Sequence, residues 1–127
     1  MRDRFDLELV RRSSTTGGET ATFAVSVPAD LLYFAGHFPG EPVLPGVAQL
    51  VALVLDRVHA LWPELGEPTR VGRLKFKQPI APGDALGLTV ELERGEAAPR
   101  VHFQIDREGQ ACTLGVMTFA TAAESQG

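Results

Sequence analysis

Gly36-His37-Phe38-Pro39-Gly40-Glu41-Pro42-Val43-Leu44-Pro45-Gly46 sets one imidazole among three prolines and three glycines. Each proline fixes φ and restrains the residue before it. Each glycine admits φ > 0 or a close backbone approach. The segment leads straight into the most apolar stretch of the chain, Val47 to Leu55, which predicts a helix. The first N–H groups of a helix lack intrahelical acceptors and carry partial positive charge. An imidazole held beside such donors, as His37 would be, is equipped for acid/base chemistry on a carbonyl compound.

The rest of the chain must position that pair. Phe5 to Val10 alternates apolar and polar residues and predicts a strand, followed by a turn at Ser13–Gly18. Thr20 to Val27 predicts a second strand with Ala21, Phe23, Val25 and Val27 on one face. Asp30 can cap a short turn at Leu31–Phe34. The helix is expected from about Gly46 to Leu61, stopped by Pro63 and Gly66. Its first half is apolar on almost every side, and Val47, Val51, Val54 and Val58 fall at helical spacing on one face.

Four strands are expected after it. Val71–Gln78 places Leu74 and Phe76 on one face and Arg73, Lys75 and Lys77 on the other. A turn at Pro79–Asp84 leads to a strand marked by Leu86, Leu88, Val90 and Leu92. Val101, Phe103 and Ile105 mark the next, and Arg107–Gln110 reads as a hairpin connection. Ala111–Thr121 is the last, with a slip in phase expected near Val116-Met117, and 122–127 is read as a loose tail. The class is α+β: an antiparallel sheet of about six strands wrapped around one long apolar central helix. So apolar a helix calls for a second surface, another subunit, over what the sheet leaves open.

With 127 residues the chain is expected to be a single domain with its core at about 5–121. A net charge of −4 argues against broad nucleic-acid binding. One cysteine, Cys112, excludes an internal disulfide and fits a reducing compartment. Met1-Arg2-Asp3-Arg4 does not open a signal peptide, and Val47–Leu55, interrupted by Gln49, is too short to span a bilayer. No His, Cys and carboxylate residues cluster at metal-ligand spacing, so neither metal nor cofactor is implied. A cytoplasmic enzyme or binding protein is the expectation.

Two blocks now carry a resemblance. One is Gly36-His37-Phe38-Pro39-Gly40 with Pro42-Val43-Leu44-Pro45-Gly46-Val47; the other is Leu74-Lys75-Phe76-Lys77-Gln78-Pro79-Ile80 with Pro82-Gly83-Asp84. The chain resembles the hot-dog-fold 3-hydroxyacyl-[acyl-carrier-protein] dehydratases over most of residues 20 to 121. Pro45-Gly46-Val47-Ala48-Gln49-Leu50, preceded by Val27-Pro28-Ala29-Asp30-Leu31, is similar to the dehydratase-like branch of aryl-polyene pathways. The resemblance implies that His37 acts at the α-carbon proton of a 3-hydroxyacyl thioester and that the Gly46 N–H meets the thioester carbonyl. It implies a homodimer or related heterodimer, and an acyl tunnel along the helix to which Phe38, Pro45, Val47, Leu50, Val51 and Val54 contribute. The substrate would arrive on the phosphopantetheine arm of an acidic acyl carrier protein.

The chain departs from the pattern at one place. The family's second catalytic group is a Glu or Asp five residues after the helix glycine, and this chain has Val51 there. In an α-helix Gln49 and Asp56 point about 160° and about 140° away from Val51, and Gln49 does not titrate. Glu41 is the carboxylate near His37 in sequence; a backbone-held water, with His37 making both proton transfers, is the other route. Two further readings stand beside dehydration: a non-catalytic subunit that binds acyl chains or carrier protein and pairs with an active dehydratase, and an acyl thioesterase.

Among the remaining candidates, Arg73, Lys75 and Lys77 form either a solvated, edge-protecting face or a dock for the acidic carrier. His59 and His102 are expected to face solvent, Cys112 and Trp62 to pack in the core, and Tyr33-Phe34 to border the tunnel.

Overall fold

The computed structural model describes residues 4–31, 34, 43–95 and 97–120. Six strands, β1 (Asp6–Thr15), β2 (Gly18–Ser26), β3 (Pro68–Phe76), β4 (Ala85–Glu93), β5 (Arg100–Arg107) and β6 (Gln110–Phe119), form one antiparallel sheet in the order β1-β2-β4-β5-β6-β3. Alternation does what it should. Leu86, Leu88, Val90 and Leu92 on β4 are buried, as are Val101, Phe103 and Ile105 on β5 and Ala21, Phe23 and Val25 on β2. Glu108 and Gly109, both at positive φ, turn β5 into β6 as the hairpin reading expects.

Between β2 and β3 lies the helix, within the bounds expected, about Gly46 to Leu61, but wound differently. It consists of a π-helical stretch, Ala48–Leu55, continued by an α-helical one, Asp56–Leu61. Helical dihedrals already begin at Val47, and the Asp56 N–H donates to the Val51 carbonyl five residues back. Trp62, at φ −133° and ψ 74°, leaves the helix just before Pro63, as expected, and the two stretches together, Ala48–Leu55 and Asp56–Leu61, make a short helix and not the long one of the fold-class reading. The wide π turn also splits the face assigned to Val47, Val51, Val54 and Val58. Leu53, Val54 and Val58 are fully buried, while Val47 and Val51 are 74% and 50% exposed. Each fully buried aliphatic side chain stabilises the fold by about 1.5–3 kcal/mol. No described helix is long and apolar enough to cross a membrane.

Three strand boundaries also differ. β1 continues through Arg11–Thr15 because a turn at Thr16 and Gly17, with Gly17 at φ 88°, suffices to reverse it. Val10 is the extra residue between the pairs Leu9↔Phe23 and Arg11↔Thr22, which leaves it exposed. In β6 the slip falls at Cys112, not at Val116-Met117. Ile105 pairs with Thr113 and Asp106 with Ala111, so Cys112 and Thr113 are buried consecutively. β3 begins at Pro68, ends at Phe76 and gains one residue between Gly72 and Lys75. Arg73 sits there at φ 51°.

Candidate functional site

His37, Phe38, Glu41 and Tyr33 lie outside the described residues. The described part of the motif is the ground on which it lands: Val43-Leu44-Pro45-Gly46 and the first turns of the helix.

Leu44, buried, is fixed at both backbone groups. Its N–H donates to the Ile80 carbonyl at 2.7 Å, and its carbonyl accepts from Gln49 Nε2 at 3.1 Å. Ile80 belongs to the Pro79–Asp84 turn, which is itself braced. Ala81 N–H and Arg107 Nη1 both donate to Asp84 Oδ2 at 2.8 Å, and Arg107 also donates to the Pro79 carbonyl. Gln49 is buried, and its Oε1 accepts from the buried Thr113 Oγ1 at 2.5 Å. The backbone N–H of Gln49 donates to the Pro45 carbonyl at 3.1 Å. Gln49 therefore ties the approach segment, the helix start and β6 into one node. A buried amide oxygen deprived of its donor costs about 1–3 kcal/mol, so the node holds its geometry firmly.

Gly46 stands in front of this node, under the ring of Phe76. A Cβ at Gly46 would lie 2.8 Å from Phe76 Cζ and 3.3 Å from Cε1. That is closer than carbon atoms pack, so a side chain at Gly46 requires the half-exposed Phe76 ring to shift. Phe76 pairs with Thr113, whose side chain points inward, and is itself 52% exposed at the end of edge strand β3. Phe76 with Val47 and Val51 thus makes an apolar surface around the helix start. Leu50 is half-buried against the core, and Val54 is sealed inside it. Of the expected lining residues, Pro45, Val47 and Val51 border the open side, and Val54 does not.

Asp56 is exposed and faces another cavity, of about 380 Å³, with Arg4, Phe5, Leu7, Ala52 and Arg57. It stands one π turn from Val51, to whose carbonyl its N–H donates, so the separation expected for an α-helix does not hold here. The basic residues of β3 do not share one regular face. Arg73 is thrown into the bulge, Lys75 pairs with outward-facing Leu114, and Lys77 follows the strand, its N–H on the Cys112 carbonyl at 2.7 Å. Burial pushes the Cys112 thiol up and Cys112 packs as expected. His59 donates to the Gly66 carbonyl at 2.9 Å and His102 to Glu93 at 2.9 Å, both on exposed ground.

Sequence reasoning missed Gln49, Thr113 and Phe76. α-Helical spacing turns Gln49 about 160° from Val51 and its amide does not titrate, so the sequence reading gives it no role. The available signal was Thr113 itself, a hydroxyl in an apolar strand that needs a partner once buried.

Residues 13–116 match the ApeI-like family, described as ApeI dehydratase. Relatives named 3-hydroxyacyl-[acyl-carrier-protein] dehydratase FabZ include one from Pelotomaculum thermopropionicum, 35% identical over 72% of this chain and 70% of its own length. One from Streptococcus pneumoniae is 32% identical over 92% and 89%. One from Alkaliphilus metalliredigens is 37% identical, and the matched stretch spans half of it. In fold, the chain is similar to the dehydratase heterocomplex ApeI:P of Xenorhabdus doucetiae, with a TM-score of 0.71 at 23% identity over 91% of this chain and 99% of that one.

Proposed function

We propose that this chain, which belongs to the ApeI-like dehydratase family, removes water from 3-hydroxyacyl thioesters carried on acyl carrier protein, in fatty-acid or polyene-type lipid synthesis. The observation that carries the reading is the built helix start. Phe76 packs over Gly46, and Gln49 holds the Leu44 and Pro45 carbonyls just before it. His37 takes the proton from the α-carbon. The electron pair moves toward the thioester carbonyl, whose oxygen is met by the Gly46 N–H. The 3-hydroxyl then leaves with a proton delivered by His37, giving water and the α,β-unsaturated thioester. No cofactor or metal takes part in this scheme.

A second reading is favoured by Val51. A half-exposed valine where the family places its carboxylate fits a subunit that holds acyl chains or carrier protein while a related partner performs the chemistry. In both readings a second subunit, identical or related, covers Val47, Val51 and Phe76, and the protein works in the cytoplasm. Turnover of a 3-hydroxyacyl carrier-protein substrate by the wild type and by His37→Ala, with melting temperature followed in parallel, tests the first reading. Loss of turnover in a folded variant is expected. Unchanged turnover overturns the catalytic role of His37 and leaves the binding-subunit reading.

A further inference from the structure

Three arginines line one cleft on the outer face of the sheet, away from the helix and from Gly46. Strand register puts them there. Arg70 of β3 and Arg100 of β5 both pair with Thr118 of β6, and Gly72 and His102 both pair with Val116. Adjacent strands lie about 4.8 Å apart, so the Cα atoms of Arg70 and Arg100 flank Thr118 at roughly 10 Å separation. The Arg70 side chain lies over Gly72, its Nε 3.7 Å from where a Cβ there would stand, while Arg100 turns to the other side, toward Glu93 of β4. Arg73 supplies the third group from the bulge, in a left-handed conformation that a non-glycine residue holds only where its surroundings impose it. The result is a cleft of about 210 Å³ whose walls are Arg70, Arg73, Arg100, His102 and Thr118, with Val116 as its floor.

The charge in this cleft is not balanced. Glu93 accepts from Arg100 Nη2 and from His102 Nε2, each at 2.9 Å. Among the described residues, Arg70 and Arg73 have no carboxylate partner. The chain as a whole carries a net charge of −4, so cations are concentrated here against the general trend. Arg70 and Arg73, three residues apart on β3, keep planar guanidinium forks without a carboxylate among the described residues, and such forks suit a tetrahedral oxyanion, which offers acceptors in several directions. Thr118 lines the same cleft and can add a neutral donor.

We propose that this cleft binds a phosphate group. The inference does not rest on the dehydratase reading, since the cleft and the Gly46 site lie on opposite faces of the sheet. The phosphate can belong to a free small molecule or to the phosphodiester of a carrier protein's prosthetic arm, and the test separates these sources.

The full chain is titrated calorimetrically with inorganic phosphate at low ionic strength, against chloride at matched ionic strength, and amide shifts are followed by nuclear magnetic resonance. Saturable binding is expected, with shifts at Thr118 and His102. Arg70→Gln and Arg73→Gly each weaken it by about tenfold or more, the loss of a charge-assisted hydrogen bond. Arg73→Gly suits the positive φ and preserves the fold. Arg94→Gln, whose guanidinium pairs with Glu64 elsewhere, leaves binding unchanged. Holo-carrier binding that exceeds apo-carrier binding and competes with inorganic phosphate identifies the prosthetic arm as a source; phosphate binding without that difference identifies a free anion. The proposal is overturned by absence of saturable phosphate binding, by undiminished binding in the Arg70→Gln/Arg73→Gly double variant, or by equal binding of apo- and holo-carrier with none of phosphate, which would make the cleft an acidic-protein dock.

Discussion

Thr113 Oγ1 donates to Gln49 Oε1 across 2.5 Å, and through that bond the last strand of the sheet holds the first turn of the helix. Thr113→Val keeps the shape but leaves the glutamine oxygen buried without a donor, a loss of about 1–3 kcal/mol. A lower urea midpoint is expected, with Thr113→Ser close to wild type. The double variant Gln49→Leu/Thr113→Val should lose less than the two single variants together, because the residues act as a pair.

Gly46→Ala drives a methyl into the Phe76 ring. The ring is half-exposed and can give way, which keeps the cost near the low end of the about 1–3 kcal/mol of overpacking, and whatever relief falls on the backbone moves the N–H that is proposed to meet the carbonyl. A fall in kcat larger than any rise in KM is expected. Phe76→Ala in the same chain should restore most of the unfolding free energy; its failure to do so would show that the ring is not what excludes the methyl.

Val51→Glu tests whether a missing acid is all that separates this chain from a fast dehydratase. Val51 is half-exposed in the single chain, so the carboxylate should not prevent folding. General acid help is worth roughly 10²–10⁴-fold, and a gain within that range in 3-hydroxyacyl turnover is expected. A folded variant with no gain would mean that position 51 does not face the reacting hydroxyl.

Glu19 gives an acid-stability prediction. Trp62 Nε1 donates to Glu19 Oε2 at 2.6 Å and Arg12 Nε to Oε1 at 3.0 Å. Both bonds, Trp62's the larger effect, hold the Glu19 carboxyl below its ordinary value of 4.5. The stability it contributes is therefore present above pH 4.5 and disappears as pH falls through the lower folded value. Glu19→Gln should lower the urea midpoint at neutral pH and flatten its decline below pH 4.5. A decline as steep as wild type's would exclude this carboxyl as a contributor.

Much of this was legible because period and burial coincide. Leu86, Leu88, Val90 and Leu92 alternate in the sequence and are buried in the fold, and the histidine motif with its helix gave the family. What escaped has a physical cause in each case. Nothing local marks Ala48–Leu55 as π-wound rather than α-wound, so a face drawn at α spacing joined Val51 to Val54, which the structure separates. The bulges at Val10, Arg73 and Cys112 answer to pairing partners distant in the sequence. The row Arg70, Thr118, Arg100 exists only once three strands are in register. Gln49 looked inert because it was judged on α-helical spacing and titration, whereas its work is to hold backbone.

Both rims of the sheet carry an irregularity. β1 has its extra residue at Val10, and β3 has Arg73 at positive φ with Pro68, which offers no N–H, at its start. Such kinks limit the straight, regular backbone that a stray strand could extend. Val47, Val51 and Phe76 are exposed apolar side chains on the chain, yet its rims are poorly suited to open-ended fibril growth by strand addition.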